Sequence, residues 1–336
     1  MVNPFYPSVS RPGHGTITLT LLHHSTPVLQ TLSYQYPLKL IAPSAIALPS
    51  TSSSVSEIPP YPTFVHSVFL LTYGGGLVAG DTVELNLNLD RSTRLLLLTQ
   101  GSTKIFKSPS LDITSGQRMY ASLASGSGLC YLPDPVQPFA RSCFEQVQVY
   151  ELKGADASMC VLDWVCEGRT ARGEKWDCWR YRSKNEVYST QERRGRRLLL
   201  RDNVMLDESG KMKIGLMGRM DGLGVFGTLI LHGPLFEHLG KYFMDEFDRL
   251  PRIGARKWDE GFEEKGFESG ESSRKTRQEQ ESRDGLLWTA ATVRSFVVVK
   301  FGARQVEGAR RWLSHMLKSE GSVEKGFGER ALFCLG

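Results

Sequence analysis

Apolar and polar residues alternate with a period of two through the first two-thirds of this chain. The clearest run, Val83-Glu84-Leu85-Asn86-Leu87-Asn88-Leu89-Asp90, predicts a strand with its leucines and valine on one face and its polar residues on the other. Thr16 to Leu22, Phe64 to Tyr73, Arg118 to Leu123, Phe144 to Leu152, Met159 to Glu167, Trp179 to Tyr188 and Leu198 to Leu206 read as further strands. Leu95 to Leu98 lacks polar residues and predicts a more completely buried strand. Gly, Pro, Asn or Asp punctuate these runs, which argues for antiparallel sheets folded on one another and against alternating β-α units. Helical spacing comes late. Leu235 to Leu250 carries Leu235, Leu239, Phe243, Phe247 and Leu250, with Pro234 suited to a first turn, and Gln305 to Leu317 carries Val306, Ala309, Leu313 and Leu317.

Two segments break the pattern. Ala42 to Pro62 is rich in Ser and Pro and reads as a flexible excursion. Arg252 to Arg283 is dense in charge and poor in aliphatics, so it is expected to be a disordered loop within one domain spanning residues 1–336. The net charge of +5 is too mild to mark a nucleic-acid binder. The start has no basic segment followed by an apolar one, and no apolar run reaches the roughly 20 residues of a membrane span. A cytoplasmic protein that binds neither nucleic acid nor membrane is expected. The six cysteines are widely spaced without a C-x-x-C pair, which favours buried, reduced thiols over a zinc site or a disulfide framework.

Candidate chemistry concentrates in two places. Tyr73-Gly74-Gly75-Gly76-Leu77-Val78-Ala79-Gly80-Asp81 lies between two strands. Its glycines suit a tight turn with positive φ better than a phosphate cradle, because no Gly-Lys-Ser/Thr follows and no helix opens. Thr99-Gln100-Gly101-Ser102-Thr103-Lys104-Ile105-Phe106-Lys107-Ser108 groups polar and cationic residues where the Leu95 to Leu98 strand ends. Taken singly, Lys104 reads as a surface charge and Asp81 as a turn acid. Together the two turns could line a narrow channel.

GGGLVAGD (Gly74 to Asp81) and LLTQGSTKIFKS (Leu97 to Ser108), separated by one amphipathic strand, resemble the central signature of the UreD (UreH) urease accessory proteins. Tyr131-Leu132-Pro133-Asp134-Pro135 is similar to the family's W/Y-L-P segment. Glu167-Gly168-Arg169-Thr170-Ala171-Arg172-Gly173-Glu174 is similar to its L-G-R-x-A-x-G-E turn, although Cys166-Glu167 replaces the usual apolar pair. Val297 to Gly302 and the following helix resemble its last strand and helix, and the charged segment resembles insertions of fungal or other eukaryotic members. The resemblance implies a mainly β fold, an elongated β-helix-like stack of antiparallel or mixed sheets with two late α-helices. It also implies a non-enzymatic scaffold that joins a UreF-like protein and a UreG-like GTPase, docks on apo-urease and passes nickel. A homodimer within that complex stays open. No cofactor would be held permanently, and nickel would bind only transiently. On this resemblance Asp81, Gln100, Ser102, Thr103 and Lys104 line the nickel path. Asp81 would be the transient metal contact, with Lys104 balancing charge or ordering Asp81 through a salt bridge. Gly74, Gly75, Gly76, Gly80, Gly101, Gly168 and Arg169 would form the structural turns. A delivery path needs weak, successive ligands, since a tight His/Cys cage would hold nickel back.

The other candidates have plainer readings. His23 and His24 are adjacent, and His14, His66, His232, His238 and His315 are scattered, so each reads as a surface or hydrogen-bonded residue. Arg193-Arg194-Gly195-Arg196-Arg197 reads as a basic hairpin tip. Two alternatives to the accessory reading remain: a β-rich interaction protein without a metal role, and a hydrolase using Asp81, Ser102 and Lys104. No G-x-S-x-G elbow, H-E-x-x-H pair or Walker lysine supports the hydrolase.

Overall fold

The computed structural model describes residues 11–22, 26–48, 63–191, 195–207, 215–250 and 268–336. In chain order the first strands are β1 (His14–Leu21), β2 (Pro27–Tyr34), β3 (Leu38–Ile41), β4 (Ile46–Leu48), β5 (Thr63–Thr72), β6 (Gly76–Leu77), β7 (Thr82–Leu89), β8 (Arg94–Leu98) and β9 (Thr103–Ile105). They are followed by β10 (Ser115–Leu123), β11 (Gly128–Tyr131), β12 (Val136–Pro138), β13 (Cys143–Leu152), β14 (Ser158–Cys166), β15 (Arg180–Gln191) and β16 (Gly195–Asp207). The last third holds α1 (Leu216–Arg219), β17 (Val225–His232), α2 (Glu237–Asp248), α3 (Glu268–Asp284), β18 (Leu287–Val293), β19 (Phe296–Ala303), α4 (Val306–Glu320) and α5 (Ser322–Phe327).

The strands form two stacked sheets. An outer sheet runs β16-β15-β13-β10-β7-β1-β2, and a middle sheet runs β18-β19-β17-β14-β11-β8-β5-β3. From β7 to β14 the chain alternates between them, outer then middle, and each strand lies parallel to its counterpart one turn earlier. Parallel neighbours need a long crossover, and here the crossover is a strand of the opposite sheet. The sheets are therefore mixed, with far more parallel pairing than strand alternation alone argued for. Alternation records only which faces are buried, and it reads the same in either strand direction.

Burial follows from the layering. One apolar core lies between the sheets and includes Leu85, Leu87, Leu97, Met119, Val161 and Phe144. A second lies between the middle sheet and the late helices and includes Leu96, Leu98, Cys160, Leu162, Phe243 and Leu313. Middle-sheet strands thus bury both faces, and every residue of β14 is buried. That is why Leu95 to Leu98 is unbroken whereas β7 alternates. All six cysteines are buried free thiols.

The helical layer differs from the expectation in two ways. The two late helices are present as α2 and α4, but α1, α3 and α5 accompany them. Of the charged segment expected to be a disordered loop, residues 252–267 lie outside the described residues, while the remainder belongs to α3. Glu246 of α2 explains the helix. It receives Arg274 at 2.9 Å and Arg277 at 2.7 Å, and Arg277 also pairs with Glu281 at 2.8 Å. The segment is short of aliphatics, and paired buried charges dock the helix in their place. Likewise, of the 42–62 segment, residues 46–48 pair with β5 and 49–62 lie outside the described residues.

Burial alone would raise the Glu246 carboxyl, but hydrogen bonds from Arg274 and Arg277 outweigh it and hold the group below the usual glutamate range. Its stabilising contribution is therefore complete above the unfolded value and is lost as pH falls through the folded one. Glu246→Ala leaves buried guanidinium groups short of a partner and should cost about 3 kcal/mol in urea unfolding at neutral pH. That deficit should shrink under acid, and hydrogen exchange should accelerate first in residues 274–284.

Candidate functional site

The winding stacks the signature segments on one another. Residues 99–102 leave β8, residues 132–135 leave β11, and residues 167–169 leave β14, three neighbouring strands of the middle sheet. Short strands then join these connections: β6 pairs with β9 (Gly76↔Lys104, Leu77↔Ile105), and β12 pairs with β9 (Val136↔Thr103) and with β14. The two motifs therefore meet main chain to main chain. Gly74 and Gly75 take φ of +76° and +71°. Gly76 is extended, and its requirement is space: a Cβ there would lie 2.2 Å from the Lys104 carbonyl oxygen.

Side chains of the motif divide between inside and outside. Along β9, Thr103 faces an internal cavity and Lys104 is exposed. Asp81 accepts the Val78 N–H at 3.1 Å, and the Val78 carbonyl accepts the Asp81 N–H at 2.9 Å, so the carboxylate closes its own turn. Of the two roles expected of Lys104, a salt bridge to Asp81 does not form among the described residues. Strand alternation turns Lys104 outward, and the turn's own amide claims Asp81. Gln100 is exposed and Ser102 half-buried.

The acid that organises the motif is Asp134. Thr99 Oγ1 donates to Asp134 Oδ2 at 2.9 Å, the Gly101 N–H donates to the same oxygen at 2.8 Å, and Arg310 of α4 pairs with Oδ1. Gly101 presents that amide from φ of +83°. In the third segment Arg169 clamps Glu174 through two guanidinium nitrogens and stacks 3.9 Å from the Phe139 ring. Glu174 also accepts the Ala140 N–H at 3.1 Å, so the G-R-x-A-x-G-E pattern ties two successive turns together. Gly168 (φ +117°) and Gly80 (φ +87°) serve as turn residues.

Beneath this edge a polar seam runs between the sheets. Thr99, Thr103, Gln117, Gln146, Gln148 and Asp163 line its first part, where about 10 Å³ is open to a water-sized sphere, room for one water. Asp163 projects from β14 and is satisfied entirely by the outer sheet. Gln146 Nε2 donates at 3.0 Å, Asn185 Nδ2 donates at 2.7 Å, and Ser183 Oγ makes a short hydrogen bond. Burial pushes the Asp163 carboxyl up, while the donors from Ser183, Asn185 and Gln146 oppose the shift. Burial and the Asp163 charge raise the phenols of Tyr131 and Tyr181. From Asp163 the seam continues along cross-strand neighbours Thr228 and Lys300, and Lys300 reaches Asp202 of the edge strand β16.

Of the residues singled out from sequence, Thr103 lines the seam, Gly101 donates to Asp134 beside it, and the Gly74–Gly76 turn leads into the strand paired with β9. Asp134, Gln117, Gln146, Gln148, Asp163, Asn185, Asp202 and Lys300 were not singled out. One signal was present: Asp163 interrupts the apolar run Met159-Cys160-Val161-Leu162-Asp163-Trp164-Val165. Gln117, Gln146 and Gln148 occupy inward positions that apolar residues would otherwise fill.

Two substitutions separate these roles. Gly76→Ala forces the β6–β9 backbones apart and should cost about 1–3 kcal/mol in denaturant unfolding, the range for overpacking. For Asp163, the folded protein holds its proton more tightly than the unfolded chain does, so its contribution to stability falls as pH rises from about 4, the usual aspartate range. Asp163→Asn should remove that slope, measured as the wild-type-minus-variant difference in urea midpoint from acid to neutral pH.

Residues 13–322 match the family described as UreD urease accessory protein. An uncharacterised ureD-like urease accessory protein of Schizosaccharomyces pombe is 29% identical over 83% of this chain and 84% of its own. Urease accessory protein 4 of Cryptococcus neoformans is 29% identical over 92% of this chain and 90% of its own. The UreD of Sorangium cellulosum is 35% identical over 67% of this chain and 62% of its own. The turns that these signature residues build thus belong to a recognised lineage, and the chain is a member of the UreD urease accessory protein family.

Proposed function

We propose that this chain serves urease maturation as a non-enzymatic scaffold that offers nickel a passage between its two sheets. The observation that carries this reading is the seam from Thr99 and Thr103 through Gln117, Gln146 and Asp163 to Lys300 and Asp202. Its groups are oxygens and amides that a partly hydrated cation can exchange one by one. Asp134 and Asp163 supply negative charge along it, while hydroxyls and carboxamides hold a first-row divalent ion weakly enough to release it. Among the described residues no three His, Cys, Asp or Glu side chains converge as a metal cage. In this reading nickel is cargo, and the chain works beside a UreF-like protein and a UreG-like GTPase on apo-urease in the cytoplasm.

Each group has a stated task. Asp134 ties the Thr99–Gly101 turn to α4 and holds that turn in one shape. Thr103 presents its side chain to the ion, with Gly76 letting its strand approach. Asp163 attracts the cation into the interior, where the low dielectric strengthens the pull.

The test is the nickel content and activity of urease co-expressed with its other accessory factors, with and without this chain. Loading should require the chain. Asp163→Leu, provided it still co-purifies with the UreF-like partner, should reduce loading to the level seen without it. Equal loading in the chain's absence would reject the reading.

A further inference from the structure

The lateral end of the seam is built unlike the rest of it. Asp163, Thr228 and Lys300 are direct cross-strand neighbours on β14, β17 and β19 of the middle sheet. Asn185 and Asp202 are direct cross-strand neighbours on β15 and β16 of the outer sheet. The two rows face one another: Asn185 Nδ2 donates to Asp163 Oδ2 at 2.7 Å, and Lys300 Nζ donates to Asp202 Oδ1 at 2.5 Å and lies 3.4 Å from Thr228 Oγ1. Gln146 and Ser183 complete the donors to Asp163.

Two acceptors in this group are buried with no protein donor among the described residues, Asn185 Oδ1 and Asp202 Oδ2. Asn185 is 1% exposed, and its amide cannot turn over, because that would aim its carbonyl oxygen at the Asp163 carboxylate. Buried polar atoms in folded proteins are otherwise nearly always satisfied. Two carboxylates face one ammonium here, so the group carries an excess of acceptors and, when both acids are ionised, of negative charge. A cation with several open coordination positions would answer both. The Lys300 side chain is 37% exposed on a flexible stem, so its charge can leave for solvent without breaking the sheet.

We propose that Asp163, Asn185, Asp202 and Thr228 form an all-oxygen station for a divalent first-row cation, and that the Lys300 ammonium closes this end of the seam until such an ion displaces it. The inference deepens the delivery reading and rests on it for its purpose: it names the last binding position and the gate. Lys300 acts as a built-in competitor. An arriving ion takes over Asp202 and the orphaned Asn185 oxygen, and the displaced ammonium clears the way between β16 and β19. Oxygen-only ligation suits an ion that must move on, and competition from a tethered cation keeps its residence short.

The station is tested on the full chain without urease, using Ni²⁺ alone as probe in calorimetric titration. Lys300→Met removes the charge and keeps the stem. It should tighten Ni²⁺ binding about tenfold or more, because the arriving ion no longer has to break the Lys300–Asp202 pair. Adding Asp202→Asn to that variant should abolish the gain. A second measurement needs no substitution. Labelling of Lys300 by an amine-reactive ester, read by mass spectrometry, should rise when wild-type protein is saturated with Ni²⁺. Unchanged affinity in Lys300→Met, or Lys300 labelling indifferent to Ni²⁺, would overturn the proposal. These readouts are separate from urease loading. If loading proves independent of the chain while Lys300 still responds to Ni²⁺, the delivery reading falls and the station stands. If loading needs the chain and Lys300 does not respond, the station falls alone.

Discussion

A carboxylate buried between two sheets has to be satisfied by the sheet it faces, and Asp163 meets that requirement with three side chains from two outer-sheet strands. Gln146, Ser183 and Asn185 can reach it only if β13 and β15 lie over β14 in one register. A slip of one residue would turn every inward side chain outward and leave the acid alone. The apolar core sets how strongly the sheets adhere, while this one acid sets how they align. The price of that alignment is a line of polar groups through what would otherwise be a dry interior, and the same line supplies a course for an ion.

The winding gives the site its place. Each turn of chain contributes one strand to each sheet and one connection to a common edge, so segments about thirty residues apart become neighbours across single strand pairs. Gly76 of the first motif lets a backbone lie against β9, and Gly101 offers its amide to an acid from the next turn. The third segment repeats the device with the Arg169–Glu174 clamp. Rigid elements hold these groups, as positioned chemistry requires. At the edge strand β16, ion pairing with Lys300 and hydrogen bonds from Arg294 to the Leu198 and Leu199 carbonyls join the sheets.

The helical layer covers the other face of the middle sheet and allows its strands to be apolar on both sides. α3 joins this layer on different terms from α2 and α4. Its charged sequence has no apolar stripe, and two arginines gathered on Glu246 supply the attachment. Arg310 of α4 reaches from the same layer to Asp134, which ties the helices to the Thr99–Gly101 turn beside the seam.

What the sequence determined by itself was everything governed by local period and local backbone demand. Alternation yielded β1, β5, β7, β10, β13, β14, β15 and β16 but not β2, β11, β17 or β18; the unbroken leucines yielded β8, and helical spacing yielded α2 and α4. The turns came from glycines, which adopt positive φ at less cost than other residues. The signature segments were legible as local turns, and their joint meaning came from resemblance to a known family. Strand direction, the parallel winding, the docking of α3 and the seam were decided only in three dimensions. Each depends on a partner far away in the chain: Asp163 on Asn185, Asp134 on Arg310, Glu246 on Arg277, Lys300 on Asp202. A lone inward glutamine or aspartate looks like an interruption in a strand until the opposite sheet brings the group that satisfies it. Alternation tells which face is buried, and tertiary contact alone tells what the buried face meets.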